Sequence, residues 1–126
     1  MNILVIEDDK LTLHSLKYSI ESLGHQVTLA ENAEEAISKI TDEKFDLIIS
    51  DIMMPGISGL SLVSILRSVH LCNTPIIAMS ALGSKTLLDA AYEAGVNDFL
   101  LKPFTTESLS EKINKFSKEV HEEENK

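Results

Sequence analysis

Five short apolar runs, at 2–6, 26–30, 45–49, 75–79 and 97–101, are each followed by a stretch in which apolar residues recur every three or four positions. Leu13, Leu16, Ile20 and Leu23 share one helical face after the first run. Ala33, Ala36, Ile37 and Ile40 do so after the second, and Leu62, Ile65, Leu66 and Val69 after the third. Leu87, Ala90, Ala91 and Ala94 follow the fourth, and Leu109, Ile113, Phe116 and Val120 the fifth. The pattern predicts five strands alternating with five helices, each burying one stripe. Such alternation argues for a parallel sheet covered on both faces. Ile3–Ile6, 47–49 and 76–79 are apolar at consecutive positions, as strands buried on both sides must be. The second run alternates Val27 and Leu29 with polar residues, and the fifth begins Asn97-Asp98, so both suit edges. The fold class expected is therefore α/β: a flavodoxin-like (βα)5, doubly wound, five-stranded sheet in the order 2-1-3-4-5, with short right-handed crossovers.

Boundary residues agree with this segmentation. Gly24 and Gly95 sit where helices must stop in a left-handed conformation. Asn32 with Glu35 resembles a capping box, and Ser84 and Thr105 are suited to N-caps. The stretch Pro55-Gly56-Ile57-Ser58-Gly59 interrupts both periodicities and reads as a loop.

Composition narrows the function classes. One domain accommodates 126 residues, of which 44% are hydrophobic and 25% charged. No apolar run approaches the roughly 20 residues that cross a bilayer, and the short apolar start lacks a signal peptide's basic flank. With its single cysteine, Cys72, the chain is expected to be cytoplasmic and without membrane association. A net charge of −9 and the lack of any Lys/Arg cluster argue against direct nucleic-acid binding.

The chemistry gathers at the strand ends. The first strand runs into Glu7-Asp8-Asp9, the third into Ser50-Asp51, the fourth into Ser80-Ala81 and the fifth into Lys102-Pro103. In an open parallel sheet these ends share one edge, and the crevice opens where the winding reverses, between strands one and three. Asp8 and Asp51 should face each other there, with Ser80 and Lys102 beside them. Glu7, Asp8 and Asp51 would repel one another unless neutralised. Lys102 and one divalent cation balance their charge, and an all-oxygen donor set favours Mg²⁺. A carboxylate can attack phosphorus to give an acyl phosphate, and phosphoryl transfer depends chiefly on positioning and charge neutralisation.

Ile3-Leu4-Val5-Ile6-Glu7-Asp8-Asp9, Asp46-Leu47-Ile48-Ile49-Ser50-Asp51-Ile52-Met53-Met54-Pro55-Gly56, Ser80-Ala81 and Lys102-Pro103-Phe104 together resemble the receiver domain of bacterial two-component response regulators. The resemblance runs from about Asn2 to about Ser117, nearest to stand-alone receivers of the chemotaxis and sporulation type. It places a receiver domain at 1–119 and an acidic, frayed tail at 120–126. It implies that Asp51 is the phosphoacceptor. Asp8 matches the direct metal ligand, Glu7 its water-mediated acidic partner, and Met53 the position whose backbone carbonyl binds metal. Ser80 matches the switch hydroxyl, Lys102 the phosphate-pairing lysine, Phe99 the rotating aromatic and Pro103 a proline in a cis peptide. The implied cofactor is Mg²⁺, for which Mn²⁺ can substitute. The implied donor is a sensor histidine kinase or a histidine phosphotransfer protein. The implied output is a protein target that docks on the fourth helix, fifth strand and fifth helix, from about Ser84 to about Ser117. On this reading the chain is a switch that catalyses its own phosphorylation and dephosphorylation, not a turnover enzyme.

Plainer readings exist for each residue alone. Asp8 and Asp9 can cap the first helix, Asp51 can form an Asx turn, and Phe99 can be ordinary core. The scattered histidines lack metal spacing, and the methionines are expected to be packing or surface residues. The runner-up function is an Asp-nucleophile, Mg²⁺-dependent phosphatase, but such enzymes usually carry a second Asp where Met53 stands. A flavin or nucleotide binder lacks its glycine-rich motif. A receiver that never takes phosphate is disfavoured by the full set of site residues.

Overall fold

The computed structural model describes residues 1–54 and 58–124, with side chains described up to 117. The elements are β1 (Asn2–Ile6), α1 (Lys10–Ser22), β2 (Gln26–Ala30), α2 (Ala33–Asp42) and β3 (Leu47–Asp51). They continue as α3 (Gly59–Ser68), β4 (Ile76–Ser80), α4 (Lys85–Ala94), β5 (Asp98–Leu101) and α5 (Thr106–Glu124). All strand pairs are parallel and the sheet order is β2-β1-β3-β4-β5, the order expected from the apolar runs.

Two core layers follow from strand alternation. Leu4, Ile6, Ile48, Ile76 and Ala78 face Ala33 and Ala36 of α2, Leu62, Val63 and Leu66 of α3, and Ala91 of α4. Ile3, Val5, Leu47, Ile49, Ile77 and Met79 face Leu13, Leu16 and Ile20 of α1 and Leu109, Ile113 and Phe116 of α5. In α3 the buried stripe uses Val63, whereas Val69 is exposed: it is the C-cap, beyond the last turn that touches the sheet. α4 buries only Ala91 completely. Val120 and much of the tail expected to fray lie outside the described side chains; the helix itself runs to Glu124.

Three strands begin later than the apolar runs suggest, each for a hydrogen-bonding reason. The Asp46 carboxylate accepts from the Asn2 N–H at 2.8 Å, so this residue closes the strand start with its side chain. Pro75 cannot donate to a ladder, although its carbonyl accepts from Ile48. Asn97 holds the Ile76 N–H with its side-chain oxygen at 2.9 Å. The caps behave as their residue types require. Asn32 accepts from the Glu35 N–H, and Glu35 returns to the Glu31 N–H, both at 2.8 Å. Ser84 accepts from Leu87, Thr105 from Ser108, and Gly95 takes φ +119.

Asp98 is the polar exception on the edge strand. It is buried, and its carboxylate accepts from Lys112 Nζ at 2.8 Å and Lys115 Nζ at 3.4 Å, tying α5 to β5. Burial alone would raise its pKa, but the Lys112 hydrogen bond, the Phe99 N–H and both lysine charges hold it below its ordinary 3.8. A group ionised more readily when folded adds stability above its unfolded pKa and loses it as pH falls through the folded value. Asp98→Asn is therefore expected to lower stability at pH 7 by about 1–2 kcal/mol and to flatten the loss of stability between pH 5 and pH 3, as read by denaturant melts at each pH.

Candidate functional site

The carboxyl ends of β1, β3 and β5 meet at one edge of the sheet. Register puts Ile6 opposite Ser50, and the ladder continues through Ile52 N–H to Met79 C=O at 3.0 Å and Lys102 N–H to Ser80 C=O at 2.8 Å. Glu7, Asp51, Ser80 and Lys102 are thus placed by backbone hydrogen bonds before any side-chain contact is made. Lys102 Nζ donates to Glu7 Oε2 at 3.0 Å and to Asp51 Oδ2 at 3.1 Å. Glu7 is 2% exposed and Asp51 5%, so this lysine bridges two desolvated carboxylates. Asp8 is exposed, yet one carboxylate oxygen each from Glu7, Asp8 and Asp51 lie within 4.8 Å of one another. Three oxygens at that spacing fit a single hard cation.

The electrostatics express the crowding. Burial first, and then the hydrogen bond shared with Asp51, push Glu7 up to about 7, with Lys102 opposing. Burial likewise opposes ionisation of Asp51, but its hydrogen bonds to Glu7, the Met53 N–H and Lys102 hold it below the usual carboxylate range. Lys102 loses some basicity to burial and regains more from its two partners. Two adjacent carboxylates separated in this way leave Asp51 as the more readily ionised member and Glu7 as the one that more readily holds a proton.

Both plainer readings are also realised. Asp9, not Asp8, caps α1, accepting from Thr12 N–H at 3.0 Å. That cap directs the chain so that Asp8 remains with the acidic cluster. Asp51 Oδ1 accepts from Met53 N–H at 2.8 Å, an Asx turn that fixes one carboxylate oxygen and leaves the other to Lys102. Pro55, Gly56 and Ile57 lie outside the described residues. Gly59 opens α3 directly against this turn: a Cβ there would lie 2.3 Å from Ile52 Cα and 2.5 Å from the Asp51 carbonyl oxygen.

A family model described as the response regulator receiver domain matches residues 3–114. The chain belongs to that family. Its relatives include the transcriptional regulatory protein CrdR of Helicobacter pylori, 34% identical over 90% of this chain and 54% of that protein. The receiver spans about half the length of the curated relatives it matches. Among solved structures, a two-component response regulator from Clostridium difficile superposes with a TM-score of 0.90 at 32% identity, covering 95% of this chain and 98% of that one. TrrA from Thermotoga maritima, solved in complex with Mg(2+)-BeF, gives a TM-score of 0.81 at 34% identity, covering 91% of this chain and 97% of that one. The phosphatase reading is not favoured: the matched family is the receiver, and position 53 is Met.

The remaining residues singled out in the sequence fall around the receiver's edge. Ser80 is fully buried and its Oγ accepts from Leu82 N–H at 3.0 Å. The Lys102–Pro103 peptide is cis. Phe99 is 7% exposed and packed in the layer with Ala91, so its ring already lies inward. Repulsion among Glu7, Asp8 and Asp51 is also softer than charge counting suggests, because Lys102 neutralises the buried pair and water screens Asp8. Sequence reading passed over Gly59 as a loop breaker; its close approach to Ile52 depends on tertiary structure. Among the described residues no helix is long and apolar enough to cross a membrane.

Proposed function

We propose that this receiver takes a phosphoryl group onto Asp51 from a phosphohistidine on a sensor kinase or phosphotransfer protein, and that the acyl phosphate changes the surface formed by α4, β5 and α5. The observation that carries the reading is the pairing of an ionised Asp51 with Lys102 and an adjacent three-carboxylate cluster. Asp51 supplies the attacking oxygen. The bond to the donor histidine nitrogen breaks as the new P–O bond forms, and the histidine departs with its electron pair, so no base is required. Lys102 faces the oxygen that becomes esterified and can pair with the transferred group. Glu7, Asp8, Asp51 and the Met53 carbonyl are the groups that would hold Mg²⁺, which supplies charge neutralisation when bound; Mn²⁺ has the same hard-oxygen preference. A proton on Glu7 and a divalent cation compete for the same oxygens.

Intact-mass measurement after incubation with acetyl phosphate tests the assignment. One added phosphoryl group is expected with Mg²⁺ and none in EDTA; an unmodified chain under both conditions would refute it.

Ser80 carries the proposed link to the output surface, because its hydroxyl is buried beside Leu82 and can donate to a phosphoryl oxygen. Phosphate acts by favouring one of two arrangements through such contacts. Ser80→Ala should accept the group on Asp51 but show amide shifts across 84–117, with beryllofluoride, reduced to less than about half of the parent's. Shifts as large as the parent's would remove Ser80 from the pathway. The kinase and target are read on the same basis: an acidic, phosphate-regulated module that recognises proteins.

A further inference from the structure

Arg67, near the end of α3, uses all five of its N–H donors on neutral oxygens. Nε and Nη2 donate to the Gly95 carbonyl at 3.1 and 2.9 Å. Nη1 donates to the Cys72 and Thr74 carbonyls, both at 2.7 Å, and Nη2 also reaches Asn97 Oδ1 at 2.9 Å. That Asn97 oxygen accepts in turn from the Ile76 N–H. One guanidinium therefore joins the end of α3, the loop into β4, the start of β4, the C-cap of α4 and the residue before β5. Gly95 sits at φ +119, and a Cβ there would come within 2.8 Å of Arg67 Cγ, so the stem packs on the cap as well. Among the described residues no carboxylate pairs with Arg67; carbonyl dipoles alone hold its charge.

The other end of α4 has no such tie. Residues 81–86 are all exposed, and the Lys85–Asp89 ion pair is in solvent. Leu87 and Leu88 are half-buried against the core, and the buried positions, Ala91 in the helix and Val96 just after it, lie toward the far end. The polar ties that hold α4 to the rest of the fold are thus concentrated at its C-terminal cap.

We infer that α4 is hinged at its C-terminal end, pivoting on the Arg67–Gly95 anchor, so that the end joined to Ser80 by residues 81–84 is the end that moves. With a rise of 1.5 Å per residue the helix is about 15 Å long, and a displacement of about 2 Å at Ser84 tilts it by roughly 8°. This deepens the proposed output mechanism by assigning α4 a lever geometry. The anchor itself is present in the unphosphorylated molecule, so its test does not depend on phosphorylation.

Native-state amide hydrogen exchange on the full chain, without Mg²⁺ or phosphoryl donor, reads the hinge directly. In the parent, the amides of Leu88, Asp89 and Ala90 are expected to exchange at least tenfold faster than those of Gly95, Val96 and Asn97. Arg67→Lys keeps the charge and the stem but loses the planar fork. It should speed exchange at Gly95, Val96 and Asn97 at least tenfold while Ile48 and Ile52 in the sheet stay slow. Uniform or reversed protection along α4 in the parent would overturn the hinge whatever the variant does. So would an Arg67→Lys protein in which Gly95–Asn97 exchange is unchanged. A rise at Ile48 and Ile52 equal to that at Gly95 would overturn it too, by making Arg67 a global stabiliser and not a local anchor. Failure of the phosphorylation reading appears separately, as a missing adduct on Asp51.

Discussion

Asp51→Asn is expected to leave the fold intact and abolish the phosphoryl adduct completely. The substitution is nearly isosteric. The amide oxygen can still accept from the Met53 N–H, which holds the turn at 2.8 Å in the parent. What disappears is the ionised oxygen that Lys102 faces at 3.1 Å, and with it the nucleophile. Neighbouring carboxylates are poor substitutes. Glu7 is 2% exposed and pushed up to about 7, so it is substantially protonated at neutral pH. Asp8 is exposed and caps nothing, and it lacks the lysine contact that Asp51 has. Intact mass after acetyl phosphate and Mg²⁺ should therefore match the untreated variant. A persisting adduct would transfer the acceptor role to one of those two residues. Stability should change little, because the amide keeps the turn and Lys102 retains its contact with Glu7 at 3.0 Å.

The second large effect is expected at Gly59. Helix propensity alone predicts that Gly59→Ala stabilises α3 by up to about 1 kcal/mol. Packing predicts the opposite sign. The new Cβ would sit 2.3 Å from Ile52 Cα and 2.5 Å from the Asp51 carbonyl, and both are backbone atoms that cannot rotate away. Either α3 lifts off the sheet or the end of β3 shifts, at a cost of about 3 kcal/mol. Thermal melting should fall by more than about 10 °C, and phosphorylation should slow because Asp51 rides on the displaced segment. A melting point equal to or above the parent's would show that propensity wins and that the approach of α3 to β3 is soft.

Sequence reading reached the scaffold further than the site's internal geometry, for identifiable reasons. Runs such as Ile3–Ile6 and 76–79 have no polar alternation, so their double-sided burial is local information, and sheet order follows from it. Strand ends are likewise local, which is why Glu7, Asp51, Ser80 and Lys102 could be brought to one edge. Which of Asp8 and Asp9 caps α1 was harder to read. Asp8 and Asp9 differ only in which one the backbone turns toward α1, and that depends on the Thr12 contact. The Lys102 bridge between Glu7 and Asp51 joins residues 95 and 51 positions apart, beyond any motif spacing. Asp98 looked like an edge marker because Lys112 and Lys115, which permit its burial, lie a helix away. Arg67 carried no signal at all: four of its five hydrogen bonds go to backbone carbonyls, and every residue has one.

The sparse commitment of α4 to the core has a consequence for how such a module diversifies. A helix that surrenders a single residue, Ala91, to full burial, and leaves Lys85, Thr86, Asp89, Tyr92 and Glu93 exposed, offers half its positions to substitution at little thermodynamic cost. On the proposed output surface, sequence drift at those positions can remodel what α4 presents to a partner while the acidic edge around Asp51 stays constrained by its chemistry. Duplicated copies of one ancestral chain could acquire separate partners through α4 alone, keeping parallel signalling routes insulated from one another without rebuilding the phosphoryl site.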